Sequence, residues 1–88
     1  MQDKVILAFQ RGDTKSYRYI FDMLYSSMCL FARKFINDYN DSEDITQEVF
    51  IELWHQREKF ESLNHIKAFM YTSIKNRCIN FRTPYPSQ

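Results

Sequence analysis

Apolar residues along this chain recur every three or four positions in four separate blocks, which is the spacing of amphipathic helices. The first block, residues 3–10, opens at Asp3, sets Val5, Ile6 and Phe9 on one side, and stops at Arg11-Gly12. Gly12 suits the left-handed end of a helix, where a Cβ is penalised. Asp13 can then cap a long second helix from about Thr14 to Asn37. Its stripe is Tyr17, Ile20, Phe21, Leu24, Tyr25, Met28, Phe31, Ala32, Phe35 and Ile36, one buried face. Arg33 and Lys34 complement the negative end of its dipole.

Asn37-Asp38-Tyr39-Asn40 is a polar break. Asp41 or Ser42 starts the third helix, with Asp41-x-x-Asp44 resembling a capping box and Glu43 and Asp44 favoured in the first turn. Lys59 to Asn64 is a short connection, and a final helix runs from about His65 to Phe81 with Ser62 or Asn64 as its cap. Pro84 disfavours helical geometry in the residue before it, so 82–88 reads as a linker or chain end. The pattern predicts an all-α fold, a compact bundle of three to four helices, in one domain over residues 1–81.

Composition agrees. In 88 residues there are one glycine and two prolines, both prolines at the C-terminal end, so turn-forming residues are scarce and long helices with short links follow. A 44% hydrophobic and 17% aromatic content excludes a disordered chain. The longest apolar run, Val5 to Phe9, is far below the roughly 20 residues of a membrane span. The opening Met-Gln-Asp-Lys lacks the features of a secretory signal. No membrane insertion is expected, and Cys29 and Cys78, with no CxxC pair, read as reduced cysteines of a cytoplasmic protein.

Net charge is only +1, but its distribution is uneven. Residues 38–61 hold two Lys/Arg against eight Asp/Glu, while residues 62–88 hold four against none. An acidic block followed by a basic one suggests two partners of opposite character, nucleic acid being the candidate for the basic end. Uneven charge is also what any short chain can show by chance.

A wheel at about 100° per residue separates the third helix into Ile45, Val49, Phe50, Leu53 and Trp54 on the core side and Asp44, Gln47, Glu48, Ile51, Glu52 and His55 on the other. The acids alone describe a solvated face. Ile51 in their midst describes a contact surface. The final helix buries Ile66, Met70, Tyr71, Ile74, Cys78 and Phe81 on the same construction. Its other side carries Phe69, Thr72, Ser73, Asn76 and Asn80 with Lys67, Lys75 and Arg77 nearby and no carboxylate. Cations for phosphate, aromatics for stacking and amides for base edges are what a nucleic-acid surface uses. The plainer alternative has Phe69 in the core and the rest in solvent.

Catalytic chemistry finds no support. His55-x-x-Glu58 is not the HExxH spacing of zinc peptidases, and one glycine cannot build a phosphate loop. Nothing in the spacing brings the two cysteines to His55 and His65 as metal ligands. No enzyme, metal or cofactor is expected.

The run Asp44-Ile45-Thr46-Gln47-Glu48-Val49-Phe50-Ile51-Glu52-Leu53-Trp54 resembles the "D-hydrophobic-x-Q-E-x-F-hydrophobic-x-hydrophobic-W" signature of bacterial sigma factors of the extracytoplasmic-function group. Ile66-Lys67-Ala68-Phe69-Met70-Tyr71-Thr72-Ser73-Ile74-Lys75-Asn76-Arg77 is similar to that group's "F-x-A-W-L-hydrophobic-x-I-A-x-N" segment. Upstream, the aromatic-rich helix with Phe21, Leu24, Tyr25 and Phe31 fits the first part of the same domain. The likeness spans residues 3–81 in order and spacing.

The resemblance implies the second conserved region of a sigma factor, a helical module that docks on the clamp helices of the largest subunit of core RNA polymerase and recognises and opens the promoter −10 element. It implies polymerase contact at Asp44, Gln47 and Glu48, to which the wheel adds Ile51. It implies contact with the single-stranded non-template strand at Ser62, Asn64, His65, Lys67, Phe69, Tyr71, Thr72, Lys75, Asn76 and Arg77. An anti-sigma factor is a further partner by the same likeness. Phe69 stands where the group often has tryptophan and Asn80 where it often has aspartate. No second helix-turn-helix domain follows Phe81, so −35 recognition is expected elsewhere and the chain is expected to be part of a longer form. Two other classes fit the residues alone: a helical protein-interaction bundle, and a small regulator that binds duplex DNA without polymerase.

Overall fold

The first corner of the fold is set by Gly12. Helix α1 (Gln2–Gln10) ends there with Gly12 at φ +94°. The Gly12 amide donates to the Phe9 carbonyl at 2.9 Å and the Asp13 amide to the Ala8 carbonyl at 3.0 Å, the paired bonds of a Schellman end. Asp13 then caps α2 (Thr14–Arg33), its carboxylate accepting from the Ser16 hydroxyl at 2.6 Å and the Ser16 amide at 3.0 Å. Those two bonds, the hydroxyl first, hold the Asp13 carboxyl below its ordinary range. The structure is a computed structural model that describes residues 2–82, with side chains from 3 to 81.

Helix α2 stops at Arg33, short of the Asn37 end its periodicity predicts. The amide of Lys34 turns back to the Phe31 carbonyl, and those of Phe35 and Ile36 to the Ala32 carbonyl. This turn keeps Ile36 in the core after the helix has ended, so the apolar spacing outlasts the helix. Helix α3 (Tyr39–His55) correspondingly starts earlier than Asp41 or Ser42. Its cap is Asp38, which accepts from the Asp41 amide at 2.9 Å, and Asp41-x-x-Asp44 is not the capping box. Ser42 and Thr46 lie inside the fold, with hydroxyls donating to the Asp38 carbonyl at 2.8 Å and the Ser42 carbonyl at 2.9 Å. Buried hydroxyls are affordable only when paired in this way.

A single 3₁₀ turn (Arg57–Lys59) leads to α4 (Leu63–Arg82). Ser62 caps α4, its Oγ accepting from the His65 amide at 3.0 Å, so the helix begins two positions before His65. The expected linker from residue 83 onward lies outside the described residues, and Arg82 belongs to α4.

Helices α2, α3 and α4 pack on one another, and α1 closes the end of the bundle against α2 and the 3₁₀ turn. The described residues form four α-helices and no strand, the all-α bundle expected. Phe9, Ile20, Met28, Val49, Phe50, Leu53, Phe60, Ile66, Met70, Ile74 and Cys78 are buried together at its centre. Each of the large side chains contributes roughly 1.5–3 kcal/mol by leaving water. An aromatic row seams α2 to α3: Tyr17 meets Trp54 at 4.9 Å and Phe21 meets Phe50 at 4.6 Å. The Tyr17 hydroxyl donates to the Phe50 carbonyl at 2.7 Å, and burial pushes its pKa up.

Two residues assigned to the core of α4 are not there. Phe81 is 53% exposed and Tyr71 40% exposed. The Cys78 thiol already reaches the Ala32 carbonyl in the last turn of α2, so Phe81, one turn further, has no α2 beside it. Tyr71 sits at the edge of the buried stripe, with its ring edge-on to Phe31 at 4.8 Å.

Candidate functional site

The outer face of α3 presents Asp44, Gln47, Glu48 and Ile51, all exposed, as the wheel expects. Ile51 is 56% exposed with its ring of polar neighbours in place. These side chains are not independent of the rest of the molecule. Gln47 Nε2 donates to the Tyr25 hydroxyl of α2 at 3.1 Å. Glu48 and Glu52, one turn apart, both receive Arg77 of α4, at 3.0 Å on Nη1 and 2.7 Å on Nη2. Glu52 also accepts from Gln56 Nε2 at 2.9 Å.

The start of α3 and the end of α4 enclose a cleft of about 430 Å³ lined by Asp41, Asp44, Ile45, Glu48, Arg77, Asn80 and Phe81. Three carboxylates and one guanidinium give it a net negative wall. Phe81 supplies an exposed ring at its mouth.

Helix α4 carries no carboxylate along its length. Thr72, Lys75 and Asn76 are fully on its exposed side, Lys67 is half-buried, and Asn64 is exposed near the first turn. Phe69 is half-buried, edge-on to Phe60 at 5.0 Å with the Lys59 ammonium 5.9 Å from its ring centre. It is therefore partly core, yet held in one orientation with part of its surface in water. Ser62 is occupied as a helix cap, and His65 lies edge-on to Phe60 at 4.9 Å, exposed to solvent.

Of the expected nucleic-acid residues, Phe69, Thr72, Lys75 and Asn76 thus share one side of α4, Lys67 lies at the opposite edge of the buried stripe, and Asn64 and His65 stand at the start of the helix. Arg77 is set apart. Its guanidinium is engaged by two carboxylates of α3, so residues assigned from sequence to opposite surfaces meet in one ion-pair cluster. Sequence reading also missed Tyr25. Its place in the α2 stripe marks it as core, and no local signal announces that its hydroxyl meets Gln47.

Cys29 and Cys78 are buried and form no disulfide with each other, and among the described residues no group of three His, Cys, Asp or Glu side chains could hold a metal ion. No helix of the described residues is long and apolar enough to cross a membrane.

The described residues thus form a helical bundle in which an acidic outer helix lies beside a carboxylate-free one. A family model for Sigma-70 region 2 matches residues 20–83, and the chain belongs to that family. No curated protein and no solved structure matches it. Domains of this family are non-catalytic parts of transcription initiation factors that bind core RNA polymerase and promoter DNA and take part in promoter melting. Helix α1 and the first turns of α2 precede the matched residues, yet Ile6 and Phe9 are buried in the same core.

Proposed function

We propose that residues 1–81 form the polymerase-docking and −10-recognition domain of a sigma factor of the extracytoplasmic-function group, acting in the cytoplasm. Asp44, Gln47, Glu48 and Ile51 of α3 dock on the clamp helices of the largest polymerase subunit. Lys67, Phe69, Tyr71, Thr72, Lys75 and Asn76 of α4, with Ser62, Asn64 and His65 at its start, meet the single-stranded non-template strand of the −10 element. An anti-sigma factor is a further partner. The observation that carries this reading is the contrast of two neighbouring helix faces: α3 exposes acids around an isoleucine, and α4 exposes cations, amides and an aromatic ring without any carboxylate.

The physical task on the DNA side is to keep a base out of the stack. Unstacking costs a few kcal/mol per step, and stacking on an aromatic side chain returns about 1–3 kcal/mol per base. Phe69 is fixed edge-on by Phe60, so little ordering is left to do when a base arrives. Lys75 and Asn76, exposed about two turns further along α4, supply phosphate attraction and an amide for base edges. No bond chemistry is involved.

Replacing Gln47 by alanine together with Glu48 by lysine tests the docking face. The double variant is expected to keep its far-ultraviolet circular dichroism and lose capture of core polymerase; undiminished capture refutes the assignment. In a titration at fixed salt, Lys75→Ala and Asn76→Ala weaken binding to a single-stranded −10 oligonucleotide. Tighter binding of duplex than of single-stranded DNA would favour a duplex regulator instead.

A further inference from the structure

We infer that Tyr25 of α2 is a positioning residue of the docking face: it holds the Gln47 carboxamide with its oxygen outward, so the group that meets Gln47 on the partner is a hydrogen-bond donor. The inference rests on the proposed role of α3 and adds to it a residue from a second helix and the chemistry of the group recognised.

A glutamine on an exposed helix face can present either end of its amide. Here the choice is constrained. Gln47 Nε2 donates to the Tyr25 hydroxyl at 3.1 Å, and Tyr25, Cys29 and Glu43 line one small cavity beside it. That bond pairs the N–H end of the amide with the phenol oxygen, so the carbonyl end of Gln47 is the one left to face outward. Glu43 acts in the same direction, since its negative charge beside Tyr25 favours the N–H end of the amide there over the oxygen end. The Gln47 N–H draws the phenol pKa down, but burial, Cys29 and Glu43 outweigh it, so the phenol keeps its proton at neutral pH.

Tyr25 is itself fixed. Its ring stacks on Phe21 at 4.9 Å with an 18° interplanar angle and touches Phe50 at 6.2 Å, and Phe50 is buried in the core. The hydroxyl is therefore anchored through two aromatic contacts to the seam between α2 and α3. Gln47 inherits that order.

The result is a patch dominated by acceptors, Glu48 already receiving one nitrogen of Arg77. Asp44 and Glu48 carry carboxylates, which only accept, and an outward Gln47 oxygen between them accepts as well. Beside Ile51, such a face fits a partner helix that offers arginine, lysine or amide N–H groups around an apolar contact. A partner presenting carbonyl or carboxylate oxygens would leave these acceptors unpaired and is disfavoured.

The test measures the dissociation constant for core polymerase, with thermal denaturation alongside, for the full chain carrying Tyr25→Phe, Gln47→Ala, both together, and Gln47→Glu. Tyr25→Phe keeps the ring contacts and removes the hydroxyl. It is expected to weaken polymerase binding by about three- to tenfold, the scale of one hydrogen bond, and to have no further effect when Gln47 is already alanine. Gln47→Glu keeps an outward acceptor and is expected to bind within about threefold of the native chain on the same scale. Wild-type affinity for Tyr25→Phe, when Gln47→Ala is weakened, overturns the positioning role, as does a Tyr25→Phe loss that persists undiminished in the Gln47→Ala background. A tenfold or greater loss with Gln47→Glu overturns the donor assignment, and because that variant keeps Tyr25 it stands even if Tyr25→Phe lowers the melting temperature. If Gln47→Ala alone binds as the native chain does, the docking face itself is misplaced, an outcome distinct from the failure of Tyr25 alone.

Discussion

Replacing Arg77 by glutamine separates two roles that one arginine could have on this surface. Its two nitrogens reach Glu48 at 3.0 Å and Glu52 at 2.7 Å, but the three side chains are 38%, 59% and 37% exposed, so water screens both pairs. Exposed pairs contribute about 0.2–1 kcal/mol each; two sharing one guanidinium across a helix–helix contact bring the loss to roughly 1 kcal/mol. In a domain of this size that lowers the melting temperature by about 4–8 °C. The deficit shrinks in 1 M salt, where the screening length falls to about 3 Å. A phosphate contact leaves a different trace, since each one contributes about 0.7 to the slope of log affinity against log salt for a single strand. The expectation is that Arg77→Gln lowers the melting temperature and leaves that slope unchanged for a −10 oligonucleotide. Lys75→Gln, whose cation is exposed, reduces the slope by about 0.7 and leaves the melting temperature alone. An unchanged melting temperature with a reduced slope for Arg77→Gln would refute the reasoning and make Arg77 a phosphate contact.

Two further outcomes follow from the fold. Asp13 has a lowered pKa, so its contribution to stability is present above the unfolded-state value and is lost as pH falls through the ordinary 3.8 toward the folded value. Urea midpoints followed from neutral to acid pH should therefore fall more steeply for the native chain than for Asp13→Ala; parallel curves would mean that the Ser16 bonds do not carry the shift. Phe60 is fully buried and Phe81 is 53% exposed. Denaturant titration should give a loss of about 3–5 kcal/mol for Phe60→Ala and less than about 0.5 kcal/mol for Phe81→Ser, and equal losses would contradict their placement.

The helices were legible because each reports itself locally. Gly12 and Asp13 announce the end of α1 and the cap of α2 within two residues, and Ile45, Val49, Phe50 and Leu53 mark the buried side of α3 by spacing alone. The boundaries between α2 and α3 were not legible for a definite reason. Phe35 and Ile36 stay against the core after the helix has ended, so apolar spacing continues through a turn that only the backbone bonds to Phe31 and Ala32 reveal. Asp38 and Asp41 are chemically equal as caps. Which one serves is decided by where α3 must begin for Ser42 to enter the interior and bond to the Asp38 carbonyl.

The site divides along the same line between local and long-range information. That Asp44, Gln47, Glu48 and Ile51 face outward is a property of one helix and one wheel. That Glu48 meets Arg77, 29 positions away, and Gln47 meets Tyr25, 22 positions away, depends on how three helices are set against one another. Neither pairing leaves a trace in spacing or composition, because the residues involved have adequate local explanations: a solvated acid, an arginine of the basic helix, a core tyrosine. The consequence for the proposed function is that α3 cannot be treated as a docking strip laid over an inert support. Glu48 is braced by the helix proposed to meet DNA and Gln47 by the helix that carries the aromatic seam, so the orientation of the acceptors is a property of the assembled bundle. A peptide of α3 alone would carry the same residues and lack both braces.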